Sequence, residues 1–126
     1  MAQRMKLFFD GGSRPSPIGM ELAVVAGGRS YVQRGLGPGT SMDAEWLALI
    51  EAMQQARALG VTDAVLLGDA AAVIAQANGL VRCPPSCLGH FQRFQQLARP
   101  EGRTRIRYVK RSQNLAGIAL AALHAR

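Results

Sequence analysis

Acidic residues, cysteines and long apolar runs are all scarce in this chain. Eight Asp and Glu stand against fifteen Lys and Arg, which gives a formal charge of +7 and a pI near 10.7. No stretch of about 18 apolar residues is present, so a membrane-spanning helix is not expected. The start Met1–Arg4 lacks the apolar segment and cleavage site of a secretion signal. We therefore expect a cytoplasmic protein with no membrane partner.

The two cysteines are too few for a closed zinc site of their own. Cys83 and Cys87 frame Pro84-Pro85-Ser86, and His90 follows three residues after Cys87. A structural zinc site takes four ligands, and no second cysteine pair exists to complete one. The pattern therefore favours two reduced thiols at a turn.

The composition is that of one folded domain. The chain has 126 residues, of which 48% are hydrophobic and 18% charged, values outside the range of disordered chains. This length supports one core, so we expect a single domain over residues 1–126. The excess of positive charge attracts polyanions, and nucleic acid is the first candidate partner. A positive surface that only aids solubility remains an equal alternative on charge alone.

Hydrophobic patterning predicts alternating strands and helices. Strands are expected first at Lys6–Phe9 and then in a hairpin whose arms flank Gly27-Gly28-Arg29. A helix should begin after Thr40 or Ser41 and end near Leu59, before Gly60. The remaining expected elements are strands at Ala64–Leu67 and Arg103–Val109, and helices at Ala70–Ala77, from Ser86 or Leu88 to Ala98, and at Leu115–His124. This order predicts an α/β fold in which a mixed sheet is covered by helices.

Three of the few acids adjoin strongly apolar segments. Asp10 follows Leu7-Phe8-Phe9, Glu45 precedes an apolar helical stretch, and Asp69 follows Ala64–Gly68. This placement suggests ligands for a shared metal site. Each acid also has an ordinary structural interpretation, because Asp10 can be a turn residue, Glu45 a first-turn helix acid and Asp69 a helix cap.

The segments Phe9–Ser13, Thr40–Leu49, Leu67–Ala70 and Val109–Asn114 occur in this order. Together they resemble the ribonuclease H family over nearly the whole chain, from about Lys6 to Ala122. Phe9-Asp10-Gly11-Gly12-Ser13 resembles its first strand, and Thr40–Leu49 resembles its Thr-Asn-Asn-Glu-Ala-Glu-Tyr-Leu-Ala-Leu helix start. Leu67–Ala70 resembles the strand end that carries its third carboxylate. Val109–Asn114 resembles the Val-Pro-Arg-x-x-Asn entry to its last helix. The resemblance implies a ribonuclease H-like fold with a five-stranded mixed sheet, made of a three-stranded antiparallel meander and two parallel strands.

The same resemblance implies a function and a set of site residues. Asp10, Glu45 and Asp69 would be the catalytic, metal-binding carboxylates, with Mg²⁺ or Mn²⁺ as cofactor and an RNA–DNA hybrid as substrate. Asp10 would bridge two ions, and the other two acids would hold one ion and orient the attacking water. The residues expected to contact nucleic acid are Gly11, Gly12, Ser13, Arg14, Ser41, Met42, Lys110, Arg111 and Asn114. No protein partner is predicted.

One departure bears on activity. Gly117 stands where the resemblance leads us to expect a fourth carboxylate, and a helical Gly costs about 1 kcal/mol against Ala. The first hypothesis is therefore a metal-dependent endonuclease that cleaves the RNA strand of hybrids, weakened by this loss. The alternative is a catalytically inactive nucleic-acid-binding module of the same fold, and a third possibility is another nuclease or phosphoryl-transfer enzyme.

Overall fold

Alternating elements build a helix-covered sheet in the computed structural model, which describes residues 4–97 and 102–124. The strands are β1 (Arg4–Arg14), β2 (Gly19–Ala26), β3 (Arg29–Gln33), β4 (Asp63–Gly68) and β5 (Arg103–Tyr108). The helices are α1 (Ser41–Ala58), α2 (Ala71–Ala77), α3 (Leu88–Gln96) and α4 (Leu115–Ala122), with short 3₁₀ turns at Pro85–Cys87 and Arg111–Gln113. The predicted end of α3 at Ala98 lies outside the described residues.

The sheet is mixed, as predicted. Its order is β3-β2-β1-β4-β5, in which β1, β2 and β3 pair antiparallel and β4 pairs parallel with both β1 and β5. The long strand β1 is therefore central, and its two faces alternate along the chain. Leu7 and Phe9 point into the main core beneath α1, whereas Phe8 packs in a smaller cluster beneath α4.

Helix α1 covers the main core because its apolar residues recur at helical spacing. Thr40 begins the helix with a capping box, in which its hydroxyl accepts from the Asp43 amide and the Asp43 carboxylate accepts from the Thr40 amide. Trp46 is completely buried, packs edge-on against Phe91 and Phe94 of α3, and donates from Nε1 to Gln76 Oε1 at 3.0 Å. The predicted start of this helix is confirmed.

The predicted C-terminal end of the first strand was wrong. We expected β1 to stop at Phe9 and Asp10 to lie in a turn-rich loop, but the strand continues to Arg14. Residues 11–14 pair with β2 in register, Gly11 opposite Leu22 and Arg14 opposite Gly19. Gly11 lies directly beneath α1, where a Cβ would be 2.1 Å from the Ala44 carbonyl oxygen, so this glycine serves tight packing and does not form a turn. The turn itself begins at Pro15, whose carbonyl accepts from the Ile18 amide.

No described helix is long and apolar enough to cross a membrane. Both cysteines are free thiols, Cys87 buried and Cys83 half-buried. The Nε2 of His90 lies 3.0 Å from Asp43 Oδ1, and its ring stacks on Trp46.

Candidate active site

Asp10, Glu45 and Asp69 line one cleft of about 410 Å³. Strand pairing explains why two of them meet. Because β1 and β4 are parallel with Phe8 opposite Leu67, Asp10 and Asp69 stand at equivalent positions two residues further along neighbouring strands. Glu45 comes from the first turns of α1, which crosses β1 at this point. Three separate segments thus bring three carboxylates to one place, as the sequence predicts.

Gly11 sets the distance between β1 and α1. A Cβ at this position would lie 2.1 Å from the Ala44 carbonyl oxygen and 2.7 Å from the Glu45 nitrogen. Only glycine permits this approach, since a contact of that length with backbone is sterically forbidden. The close approach carries Glu45 to the side of Asp10, so Gly11 is a structural requirement of the cleft.

The carboxylates repel one another and are partly removed from water. Burial, followed by the charge of Asp69, raises the pKa of Asp10 to about 6. Burial, followed by the charges of Asp10 and Asp69, raises the pKa of Glu45 to about 7. Arg111 lowers both pKa values, yet its side chain is 92% exposed and its Nε is 3.8 Å from Asp69 Oδ2. The cleft therefore holds more negative charge than its neighbours neutralise.

This charge surplus fits a hard divalent cation. Three carboxylates offer only oxygen donors, which suit Mg²⁺ or Mn²⁺. Within residues 4–97 and 102–124, no three His, Cys, Asp or Glu side chains already converge as a ready ligand group. The oxygen donors of the three carboxylates and their mutual repulsion fit such an ion. The three side chains must move closer to one another to bind it.

Helix α4 closes one side of the cleft and brings no carboxylate to it. Asn114 is completely buried, its Nδ2 donates to the Phe9 carbonyl at 3.0 Å, and its Oδ1 caps α4 by accepting from the Ala116 amide. A Cβ at Gly117 would lie 3.5 Å from Asp10 Oδ2, an ordinary contact. Ile118, the next residue, also lines the cleft. Gly117 and Ile118 are thus two α4 positions at which a carboxylate would line the cleft, the first of them beside Asp10.

Five of the nine predicted nucleic-acid contacts line the cleft, and the other four do not. Those that line the cleft are Gly11, Gly12, Arg14, Ser41 and Arg111. Lys110 is exposed just before the Arg111–Gln113 turn and outside the cleft lining. Ser13 lies in an adjoining groove, where its hydroxyl donates to the Gly39 carbonyl at 2.6 Å.

Two further predicted contacts differ in burial, because Asn114 is completely buried and Met42 is half-buried. The side chain of Asn114 joins α4 to β1 through the bonds of its Nδ2 and Oδ1, and its complete burial leaves no surface for the predicted contact with a nucleic acid. Met42 packs against the main core, and its sulfur lies 3.9 Å from Gln76 Nε2.

Sequence reasoning missed Glu21, a fourth carboxylate that lines the cleft. Its side chain is completely buried on β2 and contacts Arg14, Arg34 and His124. A signal was present in the sequence, because Glu21 is the single charged residue of an otherwise apolar strand.

Comparisons with known proteins agree with this architecture. A family model described as "Reverse transcriptase-like" matches residues 18–124. The chain is similar to an RNase H1 structure from the archaeon Halobacterium salinarum, with 28% identity, a TM-score of 0.78, and coverage of 98% of this chain and 100% of that one. It is also similar to the N-terminal RNase H domain of a Mycobacterium tuberculosis protein, with 27% identity, a TM-score of 0.73, and coverage of 97% and 99%.

A third structure shares the fold. It is LC11-RNase H1, isolated from compost by a metagenomic approach, in complex with an RNA/DNA hybrid. Identity is 17%, the TM-score is 0.72, and 92% of each chain is covered. No sequence among the curated proteins matches the chain.

Proposed function

The chain belongs to the ribonuclease H family, and from that premise we propose that it hydrolyses the RNA strand of RNA–DNA hybrids with the help of Mg²⁺ or Mn²⁺. The observation that carries the proposal is the meeting of Asp10, Glu45 and Asp69 in one cleft. A structural neighbour bound to an RNA/DNA hybrid supports this substrate class. The positive charge of the chain, +7, suits a polyanionic substrate.

Each group in the cleft has a task that its surroundings support. Asp10, Glu45 and Asp69 would hold the metal, which when bound polarises a phosphodiester and activates water. Arg111, exposed at the rim, would bind a phosphate and offset repulsion between the substrate and the acids. Ser41 and the backbone of Gly12 would contact the sugar-phosphate chain, a mode of contact that positions a strand without reading its sequence.

Hybrid cleavage in Mg²⁺ and in Mn²⁺ tests the proposal. Wild type should cut the RNA strand of the hybrid, and Asp10→Asn should lose at least about 100-fold in rate, the scale for removing one directly acting group. Glu51→Gln, an acid of α1 outside the cleft lining, is the matched control and should cut like wild type. Equal rates for Asp10→Asn and wild type would refute catalysis by these carboxylates.

A second candidate function, binding without hydrolysis, is favoured by the absence of a carboxylate at Gly117 and Ile118. Gly117→Asp and Ile118→Asp, measured separately, show whether α4 is the missing part. If wild type is inert on hybrid and either variant cuts it, the binding module is the better account of the natural chain. Cleavage of double-stranded RNA or DNA in preference to hybrid would instead favour a different nuclease of this fold.

A further inference from the structure

Glu21 is a charged residue on a buried strand face whose other side chains are apolar. All eight residues of β2 are buried, and on the α4 side Ala23 and Val25 pack beneath Ala116 and Leu120. Glu21 lies on this same face, opposite Gly12 of β1. A carboxylate without partners costs several kcal/mol in such a position. Its retention therefore depends on the groups that surround it.

Three basic side chains from distant segments converge on this carboxylate. Arg34, after β3, places Nε 3.4 Å from Glu21 Oε1, and Arg14, at the end of β1, places Nε 3.8 Å from Oε2. His124, after α4, places Nε2 2.5 Å from Oε2. Glu21 thus fixes the ends of three elements beside the cleft that it lines with Arg14.

The single carboxylate of Glu21 cannot neutralise the positive charge of these basic side chains. Two guanidiniums are always charged, so the cluster carries a net charge of at least +1 before His124 is counted. The side chains of Arg14 and Arg34 are 42% and 45% exposed, whereas Glu21 is 0% exposed. Both guanidiniums approach Glu21 most closely through Nε, and each has four more N–H donors on its Nη groups, in the fork geometry that matches phosphate. A purely structural ion pair with Glu21 would require neither the excess positive charge nor the exposure of the two arginine side chains.

We propose that Arg14, Arg34 and His124, organised by Glu21, form an anion site that binds a backbone phosphate diester of the nucleic acid beside the carboxylate cleft. The inference rests on the proposed nucleic-acid substrate and adds a second point of attachment to it. The acids would meet one phosphate through the metal, and this cluster would hold another part of the same duplex. Buried Glu21 acts as a positioning residue, because it orients the arginines without touching the substrate.

Hybrid binding in EDTA, measured across salt concentrations, tests the site without cleavage. Arg34→Gln should weaken binding and reduce the slope of log K against log salt by about 1, the expectation for one lost phosphate contact. Arg29→Gln is the matched control, since Arg29 is an exposed residue at the other end of β3 and lies outside the cluster. Equal slopes for Arg34→Gln and Arg29→Gln would overturn the site.

Glu21→Gln separates organisation from simple charge. This variant makes the protein more positive, so nonspecific attraction alone predicts tighter binding. Our proposal predicts weaker binding, several-fold at moderate salt, because the arginines lose their fixed positions. Tighter binding by a folded Glu21→Gln protein would show that Glu21 is not the organiser. Circular dichroism establishes folding, and Arg34→Gln tests the site if Glu21→Gln does not fold.

The site and the proposed activity can fail independently. If hybrid is cleaved but the two arginine variants share one salt slope, the anion site is wrong and the activity stands. If Arg34→Gln lowers the slope while no variant cleaves hybrid, the site stands and the activity is wrong.

Discussion

Asp10 and Glu45 are acids whose surroundings favour the protonated form. Their pKa values in the folded protein are about 6 and about 7, above the ordinary 3.8 and 4.5. Between about pH 4 and pH 7 the folded state therefore binds more protons than the unfolded state, and stability contributed by this pair falls as pH rises through that window. Burial of these carboxylates, and after it their mutual repulsion, is thus a cost to the metal-free protein at neutral pH.

We expect Asp10→Asn to raise the free energy of unfolding at pH 8 by about 1 kcal/mol, the scale of one pKa unit. The gain should shrink toward pH 5, where Asp10 is protonated in the wild-type fold. Urea unfolding in EDTA at the two pH values measures both effects. A gain that stays constant with pH, or a loss of stability at pH 8, would contradict the raised pKa that burial and the charge of Asp69 give to Asp10.

Among individual residues, the sequence predicted the three acids of the cleft but not the buried polar residues around them. Asp10, Glu45 and Asp69 could be found because each interrupts or borders an apolar run, a feature of the local sequence. The partners of Glu21 come from Arg14, Arg34 and His124, and such long-range convergence has no local pattern. Asn114 was assigned to the substrate because the sequence does not show which polar residues become buried.

Gly11 and Gly12 are adjacent in β1 yet differ sharply in what surrounds them. A Cβ on Gly11 meets the α1 backbone at 2.1 Å, whereas a Cβ on Gly12 meets only Leu120 Cδ2 at 3.8 Å. We expect Gly11→Ala to destabilise the protein by about 3 kcal/mol, because α1 must move away from β1. Gly12→Ala should change stability by less than about 1 kcal/mol. Thermal or urea unfolding of the pair measures the difference, and equal effects would show that α1 is not held in this close contact.

The boundaries of the elements were predictable where caps and periodicity agree. Thr40 and Gly60 bracket α1 in sequence, and the structure places the helix between them at Ser41–Ala58. The end of β1 was not predictable, because Gly11-Gly12-Ser13 is typical of a turn in isolation. Pairing with β2 and contact with α1, both supplied by segments elsewhere in the chain, extend the strand to Arg14.

Metal binding should be visible as stabilisation of the whole molecule. An ion that binds the folded state alone raises the unfolding temperature with its concentration. We expect Mg²⁺ or Mn²⁺ to raise the Tm by a few degrees, since about 1 kcal/mol corresponds to roughly 2–8 °C for domains of this size. Glu45→Gln should reduce the shift, and Glu51→Gln, on the same helix, should keep it. Identical shifts in the two variants would place the ion outside the cleft.

The hydrogen bond from Asn114 to the Phe9 carbonyl joins residues 105 apart in the chain. Its consequence concerns protein synthesis. A ribosome delivers β1 early and α4 late, so the wall of the cleft beside Asp10 is absent while most of the chain is being made. The α4 wall of the cleft is therefore completed last, after the segments that carry Asp10, Glu45 and Asp69 have been made.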